Sequence, residues 1–189
     1  MRRAPGLLFG RRQQHLRGGL NMAPPQTPAA PPRHGTRDYV RFRRSRFVAR
    51  FPRGYRYSPA HFWLAQDEDE IWRIGLTHFA TRMLGDIVEF DVELQRGDPV
   101  DNGQVIGWIE GMKAVTDLFC VAAGEFVGLN PDALQNAERI CKDPYGAGWL
   151  YAVRGEPDEK TLDVETYLTQ LGETIDEMEK EPWRTAEMH

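Results

Sequence analysis

Lysine is nearly missing from this 189-residue chain, which has four against twenty Arg, and cysteine is scarcer still. Two cysteines, Cys120 and Cys141, are too few for a disulfide framework or a cysteine-rich zinc site, and a reducing compartment is the default. No run approaches the ~18–20 consecutive apolar residues of a membrane helix, so no membrane partner is expected. There is no Gly-rich phosphate loop, and the five histidines, His15, His34, His61, His78 and His189, show no metal-ligand spacing. No Ser/His/Asp order suggests nucleophilic catalysis, and independent enzymatic activity is not expected. Acids are scarce at one end only. Residues 1–56 hold fourteen Arg and one acid, Asp38, a net +13, whereas residues 57–189 hold ten bases and twenty-seven acids, a net −17. The total of −4 therefore conceals a basic arm joined to an acidic body.

The length suits one domain plus an appendage, and 41% hydrophobic residues suffice for one core. Residues 1–35 are Arg-rich, then Pro/Ala-rich from Ala23 to Pro32, with little to build a core. The reading for residues 1–56 is a disordered basic arm. A transit peptide, a chain starting naturally at Met22 and a plain basic tail remain open. Phosphate attraction would permit nucleic-acid binding, but the acidic body opposes it and no nucleic-acid partner is expected.

From Tyr57 the texture changes to short apolar runs broken by turn residues. His61–Ala65 and Ile71–Leu76 flank the acidic Gln66–Glu70, as in a hairpin. Thr77 can cap a short helix ending at Gly85. Asp86–Val92 alternates, with Val88, Phe90 and Val92 on one face. Val105–Ile109, Asp117–Val121, Glu125–Leu129 and Trp149–Val153 read as further strands, with one helix after Pro131. Thr161–Met178 repeats its apolar residues at helical spacing, and residues 179–189 form a charged tail. Close-spaced strands with glycine turns indicate a mainly β fold, a sandwich or barrel with short helices and a C-terminal helix.

One residue stands apart. Lys142, Lys160 and Lys180 lie in polar company, but Lys113 falls in a predicted tight hairpin between apolar strands, Gly107-Trp108-Ile109-Glu110-Gly111-Met112-Lys113-Ala114-Val115. A lysine there projects from a rigid β scaffold on a flexible four-carbon stem, which suits covalent attachment of a prosthetic group. A plain solvated turn lysine is the simpler alternative.

The series Gly97-Asp98-Pro99-Val100, Gly103-Gln104, Ile109-Glu110-Gly111-Met112-Lys113-Ala114 and Gly124-Glu125 resembles the lipoyl/biotinyl carrier module, a barrel-sandwich hybrid. Together with Tyr57-Ser58-Pro59-Ala60-His61-Phe62-Trp63, Ile74-Gly75-Leu76-Thr77, Leu84-Gly85-Asp86-Ile87-Val88 and Asp143-Pro144-Tyr145-Gly146-Ala147-Gly148-Trp149-Leu150, it resembles the glycine cleavage system H protein family over residues 57–178. The resemblance implies a non-catalytic carrier with lipoic acid in amide linkage to Lys113, attached by a lipoate ligase or lipoyltransferase. It further implies a shuttle of the aminomethyl group from a pyridoxal-phosphate glycine decarboxylase to a tetrahydrofolate-dependent aminomethyltransferase, with reoxidation by dihydrolipoamide dehydrogenase. The location implied is the cytoplasm of a bacterium or the mitochondrial matrix of a eukaryote. Biotin is the neighbouring alternative, favoured by Met112 before the lysine and opposed by Ala114 after it.

The family resemblance also implies a cleft that shelters the loaded arm with a Ser, a Glu and an Asp. Aligned through His61 and Trp63, the Ser position is Ala60 and the Glu position is Phe62; Asp117 keeps the third. Glu110 and Asp86 are candidates for a substituting acid. The departure leaves open an H-like lipoyl carrier for another pathway, such as lipoyl relay or lipoate-dependent sulfur oxidation.

Overall fold

The computed structural model describes residues 38–67 and 70–180. Its first element corrects the reading of residues 1–56 as a disordered arm. Strands β1 (Tyr39–Arg44) and β2 (Phe47–Pro52) form an antiparallel hairpin. Arginines dominate this stretch, yet every second residue is apolar: Val40 and Phe42 on β1, Phe47, Ala49 and Phe51 on β2. That period-2 alternation gives the ribbon one core-facing side. Phe51 is fully buried, and Phe47 and Ala49 are nearly so. The arm expected over residues 1–37 lies outside the described residues.

Strands β3 (Arg56–Tyr57), β4 (Phe62–Gln66) and β5 (Ile71–Leu76) follow, with β4 and β5 paired as the two apolar runs flanking the acidic segment predict. Helix α1 (His78–Leu84) starts at Thr77, whose side chain accepts a hydrogen bond from the Ala80 N–H, and stops at Gly85. Next come β6 (Ile87–Val92), β7 (Pro99–Val100), β8 (Val105–Gly111), β9 (Val115–Phe119) and β10 (Ala122–Leu129). The single helix expected after Pro131 is two short ones, α2 (Pro131–Gln135) and α3 (Glu138–Lys142), parted at Asn136. Strand β11 (Tyr151–Pro157) and helix α4 (Val164–Lys180) complete the order, so the last helix runs two residues past the expected boundary at 178.

The strands form two facing antiparallel sheets, ordered β3-β4-β5-β11-β10-β7 and β6-β8-β9. Between them lies one apolar layer that includes Phe62, Leu64, Ile74, Phe90, Ile109, Leu118 and Val153. A second layer lies on the outer face of the larger sheet, where Trp63 and Ala65 of β4 meet Phe51, Tyr57, Tyr145 and Tyr167 beneath the hairpin and α4. Strand β4 is therefore apolar on both faces because it is sandwiched between two layers, and an alternating pattern is expected only where one face meets water. The aromatic layer is tight: Tyr57 and Tyr167 stack with centroids 4.8 Å apart, and the Phe51 ring lies 5.8 Å from Tyr167. Its phenols are satisfied, with the Tyr57 hydroxyl donating to Pro52 O at 2.7 Å and that of Tyr55 to Tyr145 O at 2.8 Å.

The face assignment for β6 needs one correction. A bulge between Ile87 and Glu89 shifts its register against β8. Ile87, Phe90 and Val92 consequently point to the core, while Val88 is half exposed. An extra residue in one strand breaks strict alternation at that point.

Candidate functional site

Strands β8 and β9 are joined by a three-residue turn, Met112–Ala114, and Lys113 sits at its centre. The Gly111 N–H donates to Ala114 O at 2.9 Å, closing the hairpin. Two further bonds bind the turn to the body: the Met112 N–H donates to Asp86 O and the Lys113 N–H to Leu84 O, each at 2.9 Å. The end of α1 therefore grips the backbone of the lysine itself. Such an approach needs glycine on both sides. A Cβ at Gly111 would lie 2.3 Å from Leu84 O, and at Gly85, where φ is +80°, it would meet Lys113 Cγ at 3.0 Å. The backbone at Lys113 is fixed, while its side chain and that of Met112 (74% exposed) reach into solvent.

Beside the turn runs a groove of about 420 Å³. Phe62, Leu76, Phe79, Met83 and Leu84 make it apolar, and Ala60, His61, Ala114, Thr116 and Asp117 also line it. The fold thus brings Ala60, His61, Phe62 and Asp117 together, although Asp117 stands fifty-four positions from Trp63 in sequence. Phe62 is 4% exposed: it belongs to the inter-sheet layer and also lines the groove. Neither acid suggested as a substitute for the missing carboxylate lines this groove. Glu110 sits half buried on β8 opposite Val115, and Asp86 lines smaller depressions beyond Lys113 with Met112 and Cys141. Asp117 is its one lining carboxylate, and it is exposed.

His61 is placed by backbone and side chain alike. It adopts φ +66°, its N–H donates to Ser58 O and its carbonyl accepts from Thr77 N–H, both at 2.9 Å. Its Nδ1 lies 2.9 Å from the Tyr167 hydroxyl. Burial pushes its pKa down to about 4, so the imidazole is neutral at physiological pH. A neutral ring beside Asp117 leaves the groove net negative. Cys120 is buried, and burial raises its thiol pKa, in keeping with a small apolar side chain.

Two residues beside Lys113 carry no sequence signal. Arg82 on α1 and Arg46 at the β1–β2 turn line a second groove with Lys113, Phe47, Phe79 and Met178. Arg82 fits the helical pattern as a solvated residue, and Arg46 falls in the stretch read as an arm.

The sequence of residues 55–180 matches the family model described as glycine cleavage H-protein. The chain belongs to the glycine cleavage H-protein family. It is 38% identical over 120 residues to the glycine cleavage system H protein of Bacteroides fragilis, covering 62% of this chain and 94% of that protein. It is 40% identical over 123 residues to the probable glycine cleavage system H protein of Natronomonas pharaonis, covering 64% and 95% respectively. The crystal structure of an H protein from Mycobacterium marinum superposes with a TM-score of 0.59 at 34% identity, covering 65% of this chain and 99% of that one. The H-protein match begins at residue 55, so β1 and β2 precede it. Among the described residues no helix is long and apolar enough to cross a membrane, and no cluster of His, Cys, Asp and Glu could hold a metal ion.

Proposed function

We propose that this H-family chain is a carrier of the glycine cleavage system, with lipoic acid in amide linkage to Lys113 Nζ. The observation that carries the reading is an exposed lysine in a turn held by three backbone hydrogen bonds, beside an apolar groove with one carboxylate, Asp117. When attached, the group supplies a dithiolane whose sulfur accepts an aminomethyl unit. This chain's own residues do the rest. The pinned turn presents Lys113 to a lipoate ligase or lipoyltransferase without competing contacts. Phe62, Leu76, Phe79 and Met83 keep water from an aliphatic arm laid along them, and Asp117 can accept a charge-assisted hydrogen bond from an ammonium at its end. Neutral His61 adds no repulsion. Tethering raises the effective concentration of the arm's end at each partner in turn.

The partners that follow are the pyridoxal-phosphate glycine decarboxylase, the aminomethyltransferase and dihydrolipoamide dehydrogenase. The protein performs no bond chemistry of its own. Its location follows the system's: cytoplasm in a bacterium, mitochondrial matrix in a eukaryote. The test is intact and peptide mass spectrometry of the protein from its native cells. A lipoyl increment is expected on the Lys113 peptide and must vanish in Lys113→Arg. An unmodified Lys113 in cells whose other carriers are lipoylated would overturn the reading, and biotin there would move the protein to the carboxylases.

Ala60 and Phe62 favour a second reading, because the groove has lost two polar positions and neither Glu110 nor Asp86 replaces them. A lipoyl carrier for another pathway, in lipoyl relay or sulfur oxidation, would not need to hold an ammonium. Glycine–bicarbonate exchange by the decarboxylase with this chain as acceptor separates the two readings; no exchange with a lipoylated chain would favour the second.

A further inference from the structure

The arginines of the β1–β2 hairpin divide into two sets. Those facing the body are used: Arg44 pairs with Asp176 of α4, and Arg53 pairs with Asp38 and with Glu165 of α4. Those on the outward face are not. Arg41 and Arg50 are Cα partners across the ribbon, with Arg43 and the 42%-exposed Val48 forming the next pair. Among the described residues, Arg41, Arg43, Arg46 and Arg50 make no ion pair. Like charges directly opposite on a two-stranded ribbon are destabilising. Here they stand on a chain with acids in excess, whose remaining residues could have supplied partners.

The cationic face continues toward Lys113. Arg46 at the hairpin turn and Arg82 on α1 border the groove that contains Lys113, and the Arg82 guanidinium lies over the Phe47 ring, 5.7 Å from its centroid. Glu179 is the one carboxylate of that groove. The hairpin is thus a basic runway ending at the lysine, and it precedes the residues the family model matches.

We propose that the outward face of the β1–β2 hairpin, Arg41, Arg43, Val48 and Arg50 with Arg46 and Arg82, docks an acidic surface of a protein partner that acts on the Lys113 arm. Charge complementarity selects the occupant. An acidic protein patch matches the five guanidinium groups and leaves Val48 an apolar neighbour. A nucleic acid or an anionic bilayer would meet the surplus of carboxylates on the rest of the body. Opposite charge at this place speeds encounter and sets orientation, as a shuttle that must bind and leave requires.

The inference rests on the carrier reading for the identity of the partner, so the test has two arms. In the first, the full lipoylated chain is mixed with the glycine decarboxylase of the same organism. Association is compared for wild type, Arg41→Glu/Arg43→Glu/Arg50→Glu and the Gln equivalent, with circular dichroism confirming the fold. At about 0.01 M salt, where screening reaches only beyond ~30 Å, the on-rate of the Glu variant should fall at least tenfold, with Gln between. At ~1 M salt the difference should disappear. In turnover, KM for the carrier should rise and kcat stay constant. In the second arm, the unlipoylated full chain is applied to immobilised poly-L-glutamate, where wild type should elute at higher salt than either variant whatever the pathway. Equal on-rates at low salt, or equal elution, would overturn the proposal, as would RNA or anionic vesicles binding the wild type through these arginines while decarboxylase association is unchanged. Failure of the carrier reading shows elsewhere, as an unmodified Lys113 or a decarboxylase that does not turn the chain over.

Discussion

Truncating Phe51 to alanine tests whether the hairpin belongs to the domain. The ring is fully buried and stands 6.2 Å from Phe42, 6.1 Å from Tyr57, 5.9 Å from Tyr145 and 5.8 Å from Tyr167, all centroid to centroid. A buried Phe→Ala change costs about 3–5 kcal/mol through lost transfer energy and the cavity left behind. Four aromatic neighbours place Phe51 toward the upper part of that range. Against a total stability of roughly 5–15 kcal/mol the loss is large. At roughly 2–4 °C per kcal/mol for a domain of this size, the midpoint of melting should drop by about 10 °C or more. Urea unfolding of the full chain, followed by tryptophan fluorescence, gives the free energy directly, and Arg50→Ala on the opposite face serves as the control with a change within ~0.5 kcal/mol. A loss under about 1 kcal/mol for Phe51→Ala would mean that the hairpin does not pack on the domain.

The remaining predictions concern the site. Gly111→Ala should destabilise by about 1–3 kcal/mol and slow lipoylation of Lys113 by a ligase, since the new Cβ would meet Leu84 O; unchanged melting and lipoylation would refute the pinned turn. Asp117→Asn should release the loaded arm about fivefold faster, an effect of ~1 kcal/mol because the carboxylate is exposed; equal hydrolysis of the aminomethyl adduct would remove Asp117 from the groove's function. The folded-state pKa of His61 is depressed to about 4 against 6.5, so the unfolded chain binds the proton more readily between those values. Stability is therefore complete above pH 6.5 and is lost as pH falls toward 4, by up to about 3 kcal/mol. Burial lowers the His78 pKa as well, which acts in the same direction. Urea midpoints at pH 7.5 and 4.5 should show a smaller fall for His61→Asn than for wild type, and an identical fall would contradict the burial argument.

What could be read from the sequence was local. Thr77 as a cap and Gly85 as a stop are decided within one helical turn, and both hold. The hairpin carrying Lys113 was legible because its glycines and apolar strands are contiguous. The β1–β2 ribbon was hidden by composition: seven arginines between residues 41 and 56 outweighed the alternation of Phe42, Phe47, Ala49 and Phe51, whose burial depends on a helix more than a hundred residues later. The bulge in β6 and the break between α2 and α3 were likewise invisible, since a register shift is fixed by the neighbouring strand rather than by residue type.

The sequence by itself determined most of the elements from Tyr57 onward, the hairpin that carries Lys113 and the family, because each rests on short-range pattern or on an ordered series of motifs. Tertiary structure decided what surrounds that lysine. Only folding joins Ala60 and His61 of the turn before β4, and Phe62 of β4, to Asp117 of β9 in a single groove, and leaves Glu110 and Asp86 out of it. Only folding gives Phe62 its two roles and turns a basic stretch into a ribbon with one face buried and one bare. The physical reason is the same throughout: period and capping are properties of neighbouring residues, whereas burial and charge pairing depend on which distant segments meet.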